Sequence, residues 1–136
     1  MNEALIPVLI GCGQFTDKSA PAEAATPIAL MANVARQAAA DAGPGAALLH
    51  ELDTLVAVGL TVDSVESGSS ARGMMRNIPH NLCNALNINP AQQVYTHTCG
   101  NTPQMLVNRY AEKIAQVAAS CVLLVGAEAL NTMVGR

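Results

Sequence analysis

The sequence predicts an α/β fold with a mainly parallel sheet and helices on both of its faces. Short apolar or β-forming runs recur at Ile6–Gly11, Leu52–Gly59, Gln92–Thr98 and Cys121–Gly126. Between them, apolar residues repeat at helical spacing over 28–42, 77–86 and 102–118. The resulting order, β-α-β-α-β-α-β, belongs to parallel strands joined by right-handed crossovers. With 2% aromatic residues and no Trp, the core is expected to be aliphatic and Ala-rich, as suits helices packed closely on a sheet.

Each element has a local reason. Ile6–Gly11 (IPVLIG) is an apolar run bounded by glycine, the pattern of a buried strand. An Ala- and Pro-rich loop follows to Thr26. Thr26-Pro27 supplies an N-cap and a first-turn proline, and Gly43 supplies the stop. Leu52–Gly59 (LDTLVAVG) is the second strand, and Thr61–Arg76 is polar, glycine-bearing and read as a long loop. Pro79 opens the second helix, Gln92–Thr98 (QQVYTHT) is rich in β-formers, and Pro103 opens the third helix. That last helix carries an apolar face of Leu106, Tyr110 and Ile114 with Arg109 and Lys113 outside, before the continuous run Cys121–Gly126 (CVLLVG).

Composition narrows the function. At 136 residues the chain is long enough for one cored domain, and 51% apolar residues exclude disorder. Only 12% of residues are charged, against the usual figure of about 25%. This implies a surface covered by further chain or by partner subunits. A net charge of −3 with basic residues scattered singly argues against a nucleic-acid partner. No apolar run reaches the ~20 residues of a membrane span, and Met1–Pro7 lacks the pattern of a signal peptide. Cys12, Cys83, Cys99 and Cys121 are expected to be free thiols of a cytoplasmic chain.

Three motifs invite a chemical reading. Gly11-Cys12-Gly13 follows a strand, but a dinucleotide fingerprint needs a third glycine where Thr16 stands, and a helix starting at once. A tight post-strand turn is the simpler reading. His80-x-x-Cys83 and His97-x-Cys99 are short pairs without the four-ligand spacing of a zinc site, so no metal is expected. Cys99 stands where a strand gives way to a helix, with Gly100 beside it. A thiol there feels the unpaired amides of the helix start, which favours the thiolate, and glycine allows a sharp turn and close substrate approach. A strand, turn, nucleophile and helix in series is a device of covalent catalysis. A buried cysteine at a turn is the competing explanation.

Thr98–Gln104 (TCGNTPQ), an Ala-bearing helix and Val122–Leu130 (VLLVGAEAL) together resemble the N-terminal half of thiolases. In that family a nucleophilic Cys precedes Gly at the start of a buried helix, and a later strand ends in Gly-x-Glu. Cys99 and Gly126-Ala127-Glu128 match those features. Pro7–Gln14 (PVLIGCGQ) and Leu52–Val58 are similar to the sterol-carrier-type thiolases and thiolase-like proteins, and the resemblance covers nearly the whole chain. Asn101-Thr102-Pro103-Gln104 departs from the usual Ser-Gly continuation and points to a divergent subgroup, some members of which lack the cysteine.

The resemblance implies thioester acyl transfer of the acetyl-CoA acetyltransferase type, with Cys99 as nucleophile and Gly100 and Asn101 oxyanion- or substrate-proximal. Acyl-CoA and CoA would be substrates, with no permanently bound cofactor. Residues 1–136 would form an incomplete N-terminal thiolase domain, inactive alone and homodimeric in the full-length protein. The activating His, the second catalytic Cys and most oxyanion donors would come from later segments. His97 is read as a packed or interface side chain, Glu128 as structural, and Ser64–Arg72 as part of a loop near the subunit interface. Arg72 and Arg76, open to a CoA phosphate, are more simply solvated. A non-catalytic subunit that binds CoA or lipid, or completes a partner chain, is the alternative.

Overall fold

The computed structural model describes residues 5–64 and 77–130. Helix α1 spans Pro27–Asp41, α2 Ala46–His50, α3 Ile78–Leu86 and α4 Thr102–Ala115. Strand β1 spans Thr54–Ala57, β2 Gln92–Tyr95 and β3 Val122–Val125, and a 3-10 turn covers Thr61–Ser64. The three strands form a parallel sheet in the order β2-β1-β3. Thr54 is level with both Gln92 and Val122.

β1 explains the two-faced architecture. All four of its residues are buried, as expected of a central parallel strand. Leu55 and Ala57 point into one core with Met31, Ala35 and Ala39 of α1 and Leu82 and Leu86 of α3. Val56 points the other way, against Leu106 and Tyr110 of α4. Helices therefore cover both faces. Each fully buried Leu or Val contributes roughly 1.5–3 kcal/mol.

The helix signals act as the sequence implies. Thr26 Oγ1 accepts the Ala29 N–H at 3.2 Å, with Pro27 in the first turn. After α1 the chain turns at Gly43, whose φ of +104° favours glycine. Asn77 caps α3, its side chain accepting the His80 N–H.

One expected strand is absent. Residues Ile6–Gly11 are extended but join no ladder, so among the described residues the sheet has three strands and not four. Ile6, Val8, Leu9 and Ile10 remain exposed, Leu9 by 89%. The chain just downstream is committed to α1. Gly11 and Gly13 lie flat on α1, so close that a Cβ on them would come within 2.2 Å of the Ala38 carbonyl oxygen and 2.4 Å of that of Val34. The Cys12 N–H also donates to Asp41 at 2.9 Å. These glycines serve close packing against a helix backbone, and the run before them is left beside the sheet.

Asp53 ties the starts of the strands together. Its Oδ2 accepts the Ser120 N–H at 2.5 Å, the Ser120 hydroxyl at 2.9 Å and the Cys121 N–H at 3.2 Å. Its backbone bridges Cys121 and Gln92. Burial is the largest influence on this carboxyl and would raise its pKa. Hydrogen bonds from Thr54, Ser120 and Cys121 outweigh it and leave the pKa below the usual value. A lowered folded pKa means stabilisation that is present above the unfolded pKa and lost as pH falls through the folded one. Asp53→Asn is therefore expected to cost about 1–3 kcal/mol in urea unfolding at pH 7. The gap from the parent protein should shrink below about pH 4.

Candidate functional site

Parallel strands all point one way, so the loops that follow them gather at one edge of the sheet, where open α/β folds bind ligands. Here those loops are Val58–Ser64 after β1, Thr96–Asn101 after β2 and Gly126–Ala129 after β3. All the expected site residues lie on the second of them.

Cys99 is exposed. It stands two residues ahead of Asn101, the N-cap of α4, and its carbonyl accepts the Thr102 N–H at 3.0 Å. The cysteine thus sits on the turn that enters the helix, and Thr102, fully buried, anchors the turn. Gly100 is not held in the left-handed region, and a Cβ there would meet nothing within 4 Å. The turn itself does not require glycine, contrary to the expectation of a sharp bend. What Gly100 leaves is open space at its own Cα, one residue after Cys99. Asn101 is exposed and its side chain makes no capping bond, so its amide faces solvent next to Cys99.

The sequence alone did not reveal how this turn is held. Thr98 donates its hydroxyl to the Leu60 carbonyl at 2.8 Å, and the Gly59 N–H donates to Thr96 Oγ1 at 3.2 Å. Gly59 permits the approach, since a Cβ there would lie 2.4 Å from the Thr96 carbonyl oxygen. Leu60 N–H donates to the Tyr95 hydroxyl at 3.0 Å, and that hydroxyl donates to Asp63 Oδ2. Glu128 binds the same loop from the β3 side, its Oε1 accepting both the N–H and the hydroxyl of Thr61 at 2.6 Å. The Gly-x-Glu segment therefore acts as a buckle between two loops. The only sequence signal for this network is the presence of hydroxyl and carboxylate side chains at three strand ends.

The remaining candidates are dispersed. His97 is exposed, and the structure gives it a backbone role, its carbonyl accepting the Thr102 hydroxyl at 3.5 Å. Cys83 is buried in the α1–α3 core while His80 is exposed. Among the described residues, no three His, Cys, Asp or Glu side chains gather as a metal cradle. Arg72 and Arg76, and nearly all of the loop at 64–72, lie outside the described residues. A groove of about 480 Å³ runs between Pro7–Gly13, α1, α4 and β3, and Cys99 does not line it.

Two measurements check this geometry. Burial pushes the Cys83 thiol up, and burial followed by the charges of Asp53 and Glu51 does the same for Cys121. Iodoacetamide mapped by peptide mass spectrometry is thus expected to modify the exposed Cys99 and Cys12 well before Cys121 and Cys83. Tyr95 is pushed up to about 12, first by burial, then by its bond to Asp63 and by the charges of Asp63 and Glu128, against the opposing Leu60 N–H. A raised folded pKa means stabilisation that is complete below the unfolded value of about 10 and lost as pH rises through the folded one. An alkaline ultraviolet titration should show one phenol ionising near 12. Tyr95→Phe should remove that step.

The fold is similar to that of a crystal structure described as a monomeric SCP2-thiolase-like protein type 1 from Mycobacterium smegmatis. The TM-score is 0.71 at 23% sequence identity, over 91% of this chain and 24% of that one. The chain therefore has a thiolase-like fold and spans about a quarter of that protein's length. No protein-family model and no curated protein matches the sequence.

Proposed function

We propose that this chain carries the nucleophile of a thioester acyl transfer of the thiolase type, and that the nucleophile is Cys99. The supporting observation is an exposed thiol at the C-terminal edge of the parallel sheet, on the turn into α4, with open space at Gly100. In this reading the Cys99 thiol gives its proton to a base and its sulfur attacks the carbonyl carbon of an acyl-CoA. The carbon–sulfur bond to CoA breaks, CoA leaves as a thiolate, and an acyl-cysteine remains. A second nucleophile, CoA or a carbanion, then takes the acyl group and restores the cysteine.

Asn101 stands close enough in sequence to offer its amide to the carbonyl oxygen, and Gly100 admits the thioester. In this proposal the base and the remaining oxyanion donors come from a longer chain or a complex, a reading in keeping with the chain's spanning 24% of its structural neighbour. The reaction is cytoplasmic in this proposal. A homodimer of the longer protein is part of it as well, although the neighbour is described as monomeric.

Kinetics on the longer protein test the reading. Cys99→Ser should lower acyl-CoA turnover by at least about 1,000-fold, the scale of losing a covalent nucleophile. Gly100→Ala should leave the melting temperature unchanged, since the added methyl meets open space, yet lower kcat/KM by narrowing the approach. Turnover that survives Cys99→Ser would overturn the assignment.

A further inference from the structure

We infer that Tyr95 is a positioning residue for Cys99, acting through the backbone of Leu60; this rests on Cys99 being the nucleophile. Leu60 is a fixed point, its side chain 1% exposed within the core under α1 and α3. Both of its backbone groups are held. Its N–H donates to the Tyr95 hydroxyl at 3.0 Å. Its carbonyl accepts the Asp63 N–H at 3.0 Å and the Thr98 hydroxyl at 2.8 Å. The Tyr95 hydroxyl donates in turn to the Asp63 carboxylate, which closes a ring of hydrogen bonds through Leu60, Asp63 and Tyr95.

Thr98 precedes Cys99, and the Cys99 carbonyl is bonded to the first amide of α4. The cysteine is therefore gripped on both sides, at Leu60 through Thr98 and at α4 through Thr102. The Leu60 grip is only as firm as the turn that carries it. Glu128 holds that turn from the β3 side and Tyr95 from the β2 side. Removing the phenolic oxygen leaves the Leu60 N–H without its side-chain acceptor and releases the Asp63 carboxylate. The acceptor of the Thr98 hydroxyl then loosens, and the thiol with it. Covalent catalysis is sensitive to such loosening, because misplacement of a nucleophile by about 1 Å can cost 100-fold in rate.

Amide hydrogen exchange on the intact chain tests the linkage. In Tyr95→Phe, which keeps the ring, the Thr102 amide should exchange about tenfold faster while Ala35 and Ala39 of α1 are unchanged, a local rather than a global opening. Thr98→Val, which cuts the same path at its other end, should have the same effect. The double variant should add little to either, as coupled sites do. Exchange at Thr102 that is unaltered in both single variants, or that rises only in step with α1, would overturn the proposal. In the longer protein, Tyr95→Phe should lower kcat about tenfold with KM within about twofold, the signature of lost transition-state positioning; a change in KM alone would also overturn it. If Thr102 responds in a protein whose Cys99 takes no acyl group, the link from Tyr95 to Cys99 stands and the nucleophile reading falls.

Discussion

Burial of β1 on both faces and along both edges is the constraint on which the rest of the structure depends. Its four residues are all buried, its ladder bonds go to β2 on one side and β3 on the other, and its side chains feed two separate cores. A parallel strand so enclosed cannot shift register without exposing Leu55 or Val56, so its neighbours are fixed relative to it. The crossovers through α3 and α4 then follow on opposite faces. Because β1 fixes the level at which each strand ends, it also fixes where the loops carrying Leu60, Cys99 and Glu128 emerge.

Those loops are joined to one another by side-chain hydrogen bonds. Tyr95, Thr98 and Glu128 all bind the short stretch Leu60–Asp63. The opposite edge is managed differently, by a single carboxylate, Asp53, that gathers the start of β3. One edge is therefore tied at a single acceptor, while the other is held by a network with an exposed cysteine beside it. That asymmetry suits a fold that binds and reacts at the C-terminal ends of its strands.

Much of the fold was legible in the sequence because strong local signals agreed with the tertiary outcome. Thr26-Pro27 and Gly43 bound α1, Leu52–Gly59 contains β1, and the 3.6-residue spacing of Leu106 and Tyr110 marked the buried face of α4. Ile6–Gly11 was misleading because an apolar run between glycines looks the same whether or not its backbone finds a partner. Gly11 and Gly13 instead put their missing Cβ to use in close contact with α1, which no periodicity reports. The short α2 went unread for a related reason, since five residues are too few to show a period. At the site, the position of Cys99 before a helix was readable from Cys-Gly and Pro103. The grip of Tyr95 and Thr98 on Leu60 spans more than 30 residues of sequence and carries no local signature.

The most direct test of Cys99 as an acyl acceptor is peptide-resolved mass spectrometry of the longer protein after brief exposure to acyl-CoA and acid quenching. The expected result is an acyl mass on the peptide containing Cys99 and on no other cysteine, removed when free CoA is added. An acyl group found on Cys12, also exposed but tied by its N–H to Asp41 of α1, or on no cysteine at all, would contradict the account.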